Sequence, residues 1–140
     1  MRLSYPLNVK IVRVPCSGRV STVHLLRTLE EGADGVYVAG CEEGDCHFME
    51  GNLRAKRRAG HARDLIAQMG LNPERIRMYN LGASDGPRFV AIANEMTENI
   101  RALGQSPVTS GAGPEWPPKE EPGESEQAPE KNPKAKAASA

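Results

Sequence analysis

Aromatic residues are sparse in this sequence: two phenylalanines, three tyrosines and one tryptophan, 4% of 140 residues. Charge of one sign is missing as well, since Lys+Arg and Asp+Glu each number 18 and the formal charge is zero. So even a balance leaves no electrostatic footprint for nucleic acid. Cysteine is limited to three, an odd number in a chain without a visible export signal. A disulfide framework is thereby disfavoured, and metal binding or thiol chemistry comes forward. No apolar run approaches a bilayer span, and no charged-then-apolar leader precedes Leu7, so the expectation is a soluble, cytoplasmic protein. Gly82 and Gly86 fit neither the P-loop nor the dinucleotide-binding spacing. Neither a Ser/His/Asp arrangement nor paired carboxylates stand out, so hydrolytic chemistry has no support and no catalytic residue is assigned.

Proline is unevenly placed: seven of the 11 fall between Pro107 and Pro133. That divides the chain into a domain over 1–104 and a tail over 105–140, rich in Pro, Glu, Ser, Lys and Ala. The tail carries six glutamates and four lysines, net −2, which leaves the domain at +2. With Val108 and Trp116 as its only large apolar residues, the tail cannot bury enough surface to offset its ordering entropy and is expected to be disordered. Trp116-Pro117-Pro118 reads either as an incidental tryptophan in a linker or as a short docking element.

Within the domain, Val9 to Val14 is β-branched and apolar, interrupted by Lys10 and Arg13, and reads as a half-exposed first strand. Ser21 is a natural N-cap for a helix striped by Val23, Leu26 and Leu29, with Gly32 at its end. The glycine-bounded run Gly35–Gly40 is the pattern of a strand covered on both faces. A polar loop leads into a second helix, from about His47 to Met69, with Gly70 closing it. Arg75 to Leu81 alternates, Ile76 and Met78 on one side and Arg75, Arg77 and Tyr79 on the other, as a half-exposed strand does. Ser84 or Asp85 then caps a third helix that ends at Gly104. The order β-α-β-α-β-α predicts an α/β fold, a three-layer arrangement around a small parallel sheet.

In such a fold the C-terminal strand ends share one edge, where ligands of open α/β sheets bind. Cys16 follows the first strand, Cys41 follows the second, and Cys46 lies in the loop beyond. Soft thiolates favour zinc, copper(I) or iron–sulfur clusters. Such centres ordinarily take four protein ligands, and this set has three. His47 is the nearest fourth candidate, Asp45 and Glu42 are weaker ones, and a partner chain's cysteine would also serve. The competing reading is three buried cysteines acting as small hydrophobes. Arg19 sits beside the cysteines, where its charge suits an anionic cluster or a partner carboxylate, or simply solvent. Arg54, Lys56, Arg57, Arg58 and Arg63 give the second helix a cationic side, a solvated face or one that meets an acidic protein surface. His24 and His61 read as solvent-facing or helix-packing residues.

Three stretches then identify a family. They are Val14-Pro15-Cys16-Ser17-Gly18-Arg19-Val20, Glu31-Gly32-Ala33-Asp34-Gly35-Val36, and the block from Gly40-Cys41 through Gly44-Asp45-Cys46-His47 to Asn52. With Ala55-Lys56-Arg57-Arg58, Asn72-Pro73-Glu74-Arg75 and Asn94-Glu95, they closely resemble the delta subunit of methyl-viologen-reducing hydrogenase over roughly Leu3 to Gly104. The resemblance implies a flavodoxin-like fragment and a small electron carrier with a [2Fe–2S] cluster. Cys16, Cys41 and Cys46 would be its metal ligands, with Arg19 and His47 tuning or completing its shell. It also implies partners: a heterodisulfide reductase-type flavin/iron–sulfur subunit, and a hydrogenase or other dehydrogenase. The family pattern includes a preceding strand and a Cys-x-x-Cys pair for which this sequence has no counterpart. A start farther upstream, a separate chain supplying both, or a rearranged three-stranded sheet without a cluster would each account for that. Two other functions fit the residues: a non-redox adaptor without a cluster, and a zinc-stabilised structural module.

Overall fold

Local chemistry sets the helix ends. In the computed structural model, which describes residues 3–109, Ser21 caps helix α1 (Thr22–Glu30) by accepting the His24 backbone N–H. His24 Nδ1 in turn accepts the Ser21 N–H at 3.1 Å, so a histidine fills the role usually taken by Glu or Gln in a capping box. Gly32 leaves α1 at φ 110°, a left-handed conformation that a side chain would strain. Strand β1 (Val36–Gly40) follows, then α2 (Gly51–Gln68), β2 (Ile76–Asn80) and α3 (Gly86–Leu103), with 3-10 turns at Ser17–Arg19 and Pro73–Arg75.

The strands β1 and β2 are parallel, with Val36 opposite Ile76 and Gly40 opposite Asn80, and α2 is the crossover between them. The fold is α/β. On one face Leu25 and Leu29 of α1 pack with Ala55, Ala59, Ala62 and Ile66 of α2 against Val38 and Ile76. The alanines recur at helical spacing and let α2 lie close to the sheet, while each buried Leu or Ile contributes about 1.5–3 kcal/mol. On the other face Glu95 of α3 reaches Arg77 at 2.8 Å, and Met96 and Ile100 lie against Gly35. Among the described residues no helix is long and apolar enough to cross a membrane.

Three expectations are corrected. Val9 to Val14 forms no strand: it has no ladder partner, and Ile11, Val12 and Val14 are exposed. Its β-branched composition favours extended backbone, but a strand also needs a neighbour to pair its N–H and C=O groups. The second helix begins at Gly51 rather than near His47, because Met49 takes φ 61° and breaks any helical path through the loop. Arg75 is buried rather than on an exposed strand face. Its guanidinium donates to the carbonyls of Asp34 at 2.7 Å and of Gly104 at 3.0 Å, joining the entry to β1 with the end of α3.

Packing continues past Gly104. Ser106 is fully buried and its N–H donates to Asp34 Oδ1 at 2.7 Å. The Pro/Glu-rich stretch from residue 110 onward, with Trp116-Pro117-Pro118, lies outside the described residues.

Candidate functional site

Parallel strands deliver their C-terminal ends to one edge, and β1 hands the chain directly from Gly40 to Cys41. Asn52 and Asn80 fix the turn that follows. The Asn52 side-chain amide donates to the carbonyls of Cys41 and Glu42 at 3.0 and 2.9 Å, and that of Asn80 donates to the Cys41 carbonyl at 2.6 Å. Asn52 is itself only 2% exposed, so this is an interior clamp. Cys41 stands exposed at the rim.

Cys16 reaches the same edge without a strand to carry it. The 3-10 turn Ser17–Arg19 packs on the N-terminus of α2, and Arg58 of α2 donates to the carbonyls of Gly18 at 2.6 Å and Val20 at 3.2 Å. Two glycines make the approach close enough. A Cβ on Gly18 would lie 2.8 Å from Gly51 Cα, well inside ordinary contact. A Cβ on Gly51 would lie 2.5 Å from Cys16 Sγ and 3.2 Å from Cys46 Sγ. The missing side chain of Gly51 is therefore the space that both sulfurs border.

Cys46 is buried, half-buried Cys16 accepts the Gly18 N–H at 3.4 Å, and none of the three cysteines is in a disulfide. The Cys46 thiol lies below its ordinary range. The backbone N–H of Asn52 is the largest cause; those of Phe48 and Gly51, and the Cys41 thiol, add to it, and burial opposes them. N–H groups at a helix start thus converge on a sulfur and favour its thiolate, the form that ligates metals.

Arg19 and His47 are both exposed. The His47 ring stands edge-on to Phe48, with centroids 5.2 Å apart. Of the cationic residues of α2, Arg54, Lys56 and Arg63 pair with the chain's own Glu50, Glu43 and Glu74, and Arg58 holds the Cys16 turn. Gly18, Gly51, Asn52, Asn80 and Arg58 carry the construction of the site. Their sequence signal is slight: glycines beside two cysteines, and amides just past a helix start and at a strand end.

The donors suit an iron–sulfur cluster in chemistry. Thiolates are its usual ligands, and two of the three sulfurs border Gly51. They fall short in number, since a cluster of this kind takes four ligands and the chain has three cysteines. Among the described residues no group of three or more His, Cys, Asp or Glu side chains closes on a common point that could hold a metal ion.

Residues 1–104 match the family described as methyl-viologen-reducing hydrogenase, delta subunit. The chain belongs to that family. It is 46% identical over 104 residues to the iron-sulfur subunit of the F420-non-reducing hydrogenase of Archaeoglobus profundus, an alignment covering 74% of this chain and 76% of the relative. The corresponding vhu iron-sulfur subunit of Methanopyrus kandleri is 43% identical over 103 residues, covering 74% and 78%. Similarity extends to a larger protein of Methanosarcina acetivorans, one of the subunits of its ferredoxin/F(420)H(2)-dependent CoB-CoM heterodisulfide reductase. There the identity is 39% over 103 residues, 74% of this chain and 13% of that one. The family is thus that of subunits of hydrogenase and heterodisulfide reductase electron-transfer complexes.

Proposed function

We propose that this delta-subunit family member is an iron–sulfur electron-transfer protein, working in the cytoplasm between a hydrogenase or other dehydrogenase and a heterodisulfide reductase-type flavin/iron–sulfur subunit. The domain over 1–104 carries the function, and 105–140 is an appended tail. Cys16, Cys41 and Cys46 are the metal ligands, of a [2Fe–2S] cluster, with the fourth ligand from outside this set; Arg19 and His47 lie in its surroundings. The observation that carries the reading is geometric: the sulfurs of Cys16 and Cys46 both border Gly51 at the start of α2. The names of the relatives, an iron-sulfur subunit of a hydrogenase and a component of heterodisulfide reductase, support it.

A cluster, when bound, supplies a one-electron couple. This chain's residues supply the setting. The backbone N–H groups of Asn52, Phe48 and Gly51 bias Cys46 toward its thiolate, and hydrogen bonds to sulfur also tune the potential of such centres. Asn52, Asn80 and Arg58 fix the two loops that present the cysteines, and exposed Cys41 brings the rim of the site to the surface.

The test is iron, zinc and acid-labile sulfide content with the visible and electron paramagnetic resonance spectra of anaerobically purified full-length protein. It is followed by electron transfer in the reconstituted complex with Cys41→Ala and Cys46→Ala. Iron and sulfide near two per chain, with electron transfer lost in the variants, is the expected result. Colourless folded protein without iron, or variants as fast as the parent, would overturn the reading.

A further inference from the structure

An apolar groove of about 280 Å³ opens at the end of the molecule opposite the cysteines. It is lined by Leu26 and Leu29 of α1, Ile66 and Met69 at the end of α2, Leu71, and Val108. Glu30 is the one charged residue on its wall. Met69 is 49% and Val108 39% exposed, so the groove presents apolar surface to water. Val108 sits in it, and Thr109 lies beside Gly32, its Cγ2 3.9 Å from where a Cβ would stand. The described chain therefore ends at the groove, with residues 110–140 still to follow.

Those 31 residues contain one large apolar side chain, Trp116, which is also the only tryptophan of the protein. Six residues lie between it and Thr109, so seven Cα–Cα steps give a reach of about 25 Å when extended and about 15 Å on average. Gly111 and Gly113 lie between and can take the backbone conformations that a reversal requires. We propose that the groove is the seat of this chain's own Trp116: the indole fills the space between Leu26, Met69 and Val108, and Pro117-Pro118 leads the chain out again. An indole suits the position, because its body buries a large apolar area while its N–H can turn toward Glu30 or water at the wall.

Tethering makes the contact feasible although one tryptophan is small as an interface. A short linker sets an effective concentration in the millimolar range, so a contact with an intrinsic Kd on the order of 0.1 mM would be closed roughly nine-tenths of the time. Other occupants, a second copy of the chain or a separate protein, would lack this advantage. The seat lies one full length of α2 from Cys46, so closing it leaves the cysteine edge uncovered.

The full-length protein provides its own probe. Its tryptophan emission is expected to be blue-shifted and several-fold less quenchable by acrylamide than that of a peptide over 110–120, unchanged on dilution. Met69→Glu, at the exposed mouth of the groove where the fold is not at stake, should return emission and quenching to the peptide's values. A second readout avoids fluorescence: ring-current displacement of the Met69 ε-methyl resonance, abolished by Trp116→Ala. Peptide-like emission in the wild type, or a Met69 methyl indifferent to Trp116→Ala, would overturn the proposal. So would protection that disappears on dilution, which would assign the groove to a second copy.

Discussion

Replacing Gly51 by alanine separates two effects that usually travel together. Inside a helix alanine is favoured over glycine by about 0.5–1 kcal/mol, and at its first position by a fraction of that, so with open space around it the variant would be slightly more stable. Here the new methyl would stand 2.5 Å from Cys16 Sγ and 3.2 Å from Cys46 Sγ, against an ordinary contact of about 3.5–4.0 Å. Cys16 must retreat by about 1 Å. Its side chain has a single torsion and one sulfur-accepted hydrogen bond, from Gly18 N–H at 3.4 Å, so it can turn away cheaply. Stability should then stay within about 1 kcal/mol of the parent, the propensity gain offsetting the displacement. The arrangement with both sulfurs at Gly51 absorbs the loss. An overpacking cost of about 1–3 kcal/mol on that arrangement lowers its population roughly 5- to 150-fold. The assay pairs a denaturation midpoint with the rate of Cys16–Cys46 disulfide formation under mild oxidation, both in a Cys41→Ser background. A Gly51→Ala protein that cross-links as fast as its parent, and is stabilised by the full propensity gain, would refute the reasoning.

Four further expectations come from the same structure. Gly18→Ala meets the Gly51 backbone, with Cα at 2.8 Å, which cannot turn aside; it should cost about 1–3 kcal/mol, visible as a lowered melting temperature, and an unchanged melt would contradict the contact. Asn52→Ala leaves the Glu42 carbonyl with the Asp45 N–H alone and the Cys41 carbonyl with Asn80 alone, a loss of about 1–3 kcal/mol; a double-mutant cycle with Asn80→Ala should be non-additive, and simple additivity would argue against a shared clamp. Arg75→Met keeps apolar volume but removes a buried guanidinium that ties the part-buried carbonyls of Asp34 and Gly104, so unfolding in urea should show a loss of about 1–3 kcal/mol; no loss would mean that water serves those carbonyls equally well. The Tyr37 hydroxyl is held above its usual pKa, first by burial and then by Tyr79 and Tyr5, so the folded state resists its ionisation. Its contribution is complete below the unfolded value near 10 and is lost as pH rises past it. Tyr37→Phe should therefore flatten the alkaline limb of the stability profile, and an identical limb in both proteins would rule Tyr37 out as its source.

The parts of the fold legible in the sequence are those governed by nearest neighbours. Ser21 accepts an N–H three residues on, and Gly32, Gly70 and Gly104 take positive φ at helix ends, because each needs only its own local backbone. The alternation of Ile76 and Met78 against Arg77 and Tyr79 likewise marks a strand with one covered face. Val9–Val14 shows the opposite case: its composition is that of a strand, and pairing depends on a distant neighbour that composition does not specify. Arg75 was hidden for the same reason, since the carbonyls that make its burial tolerable belong to residues about 30 and 41 positions away. At the site, topology accounts for Cys41 at the end of β1, whereas Cys16 arrives on a 3-10 turn and not on the strand its sequence suggested. The closeness of the sulfurs rests on Gly18 against Gly51 and on Arg58 reaching back to Gly18, contacts across 33 and 40 positions that no spacing rule anticipates.

Helix α2 runs 18 residues, about 27 Å, from the sulfurs to the groove beside which Thr109 emerges. The fold is in that sense polar, with the Cys41 rim at one end and the last described residue, Thr109, at the other. A label or resin coupled at position 109 should therefore hold every molecule with the Cys41 rim turned outward, where random adsorption samples many orientations.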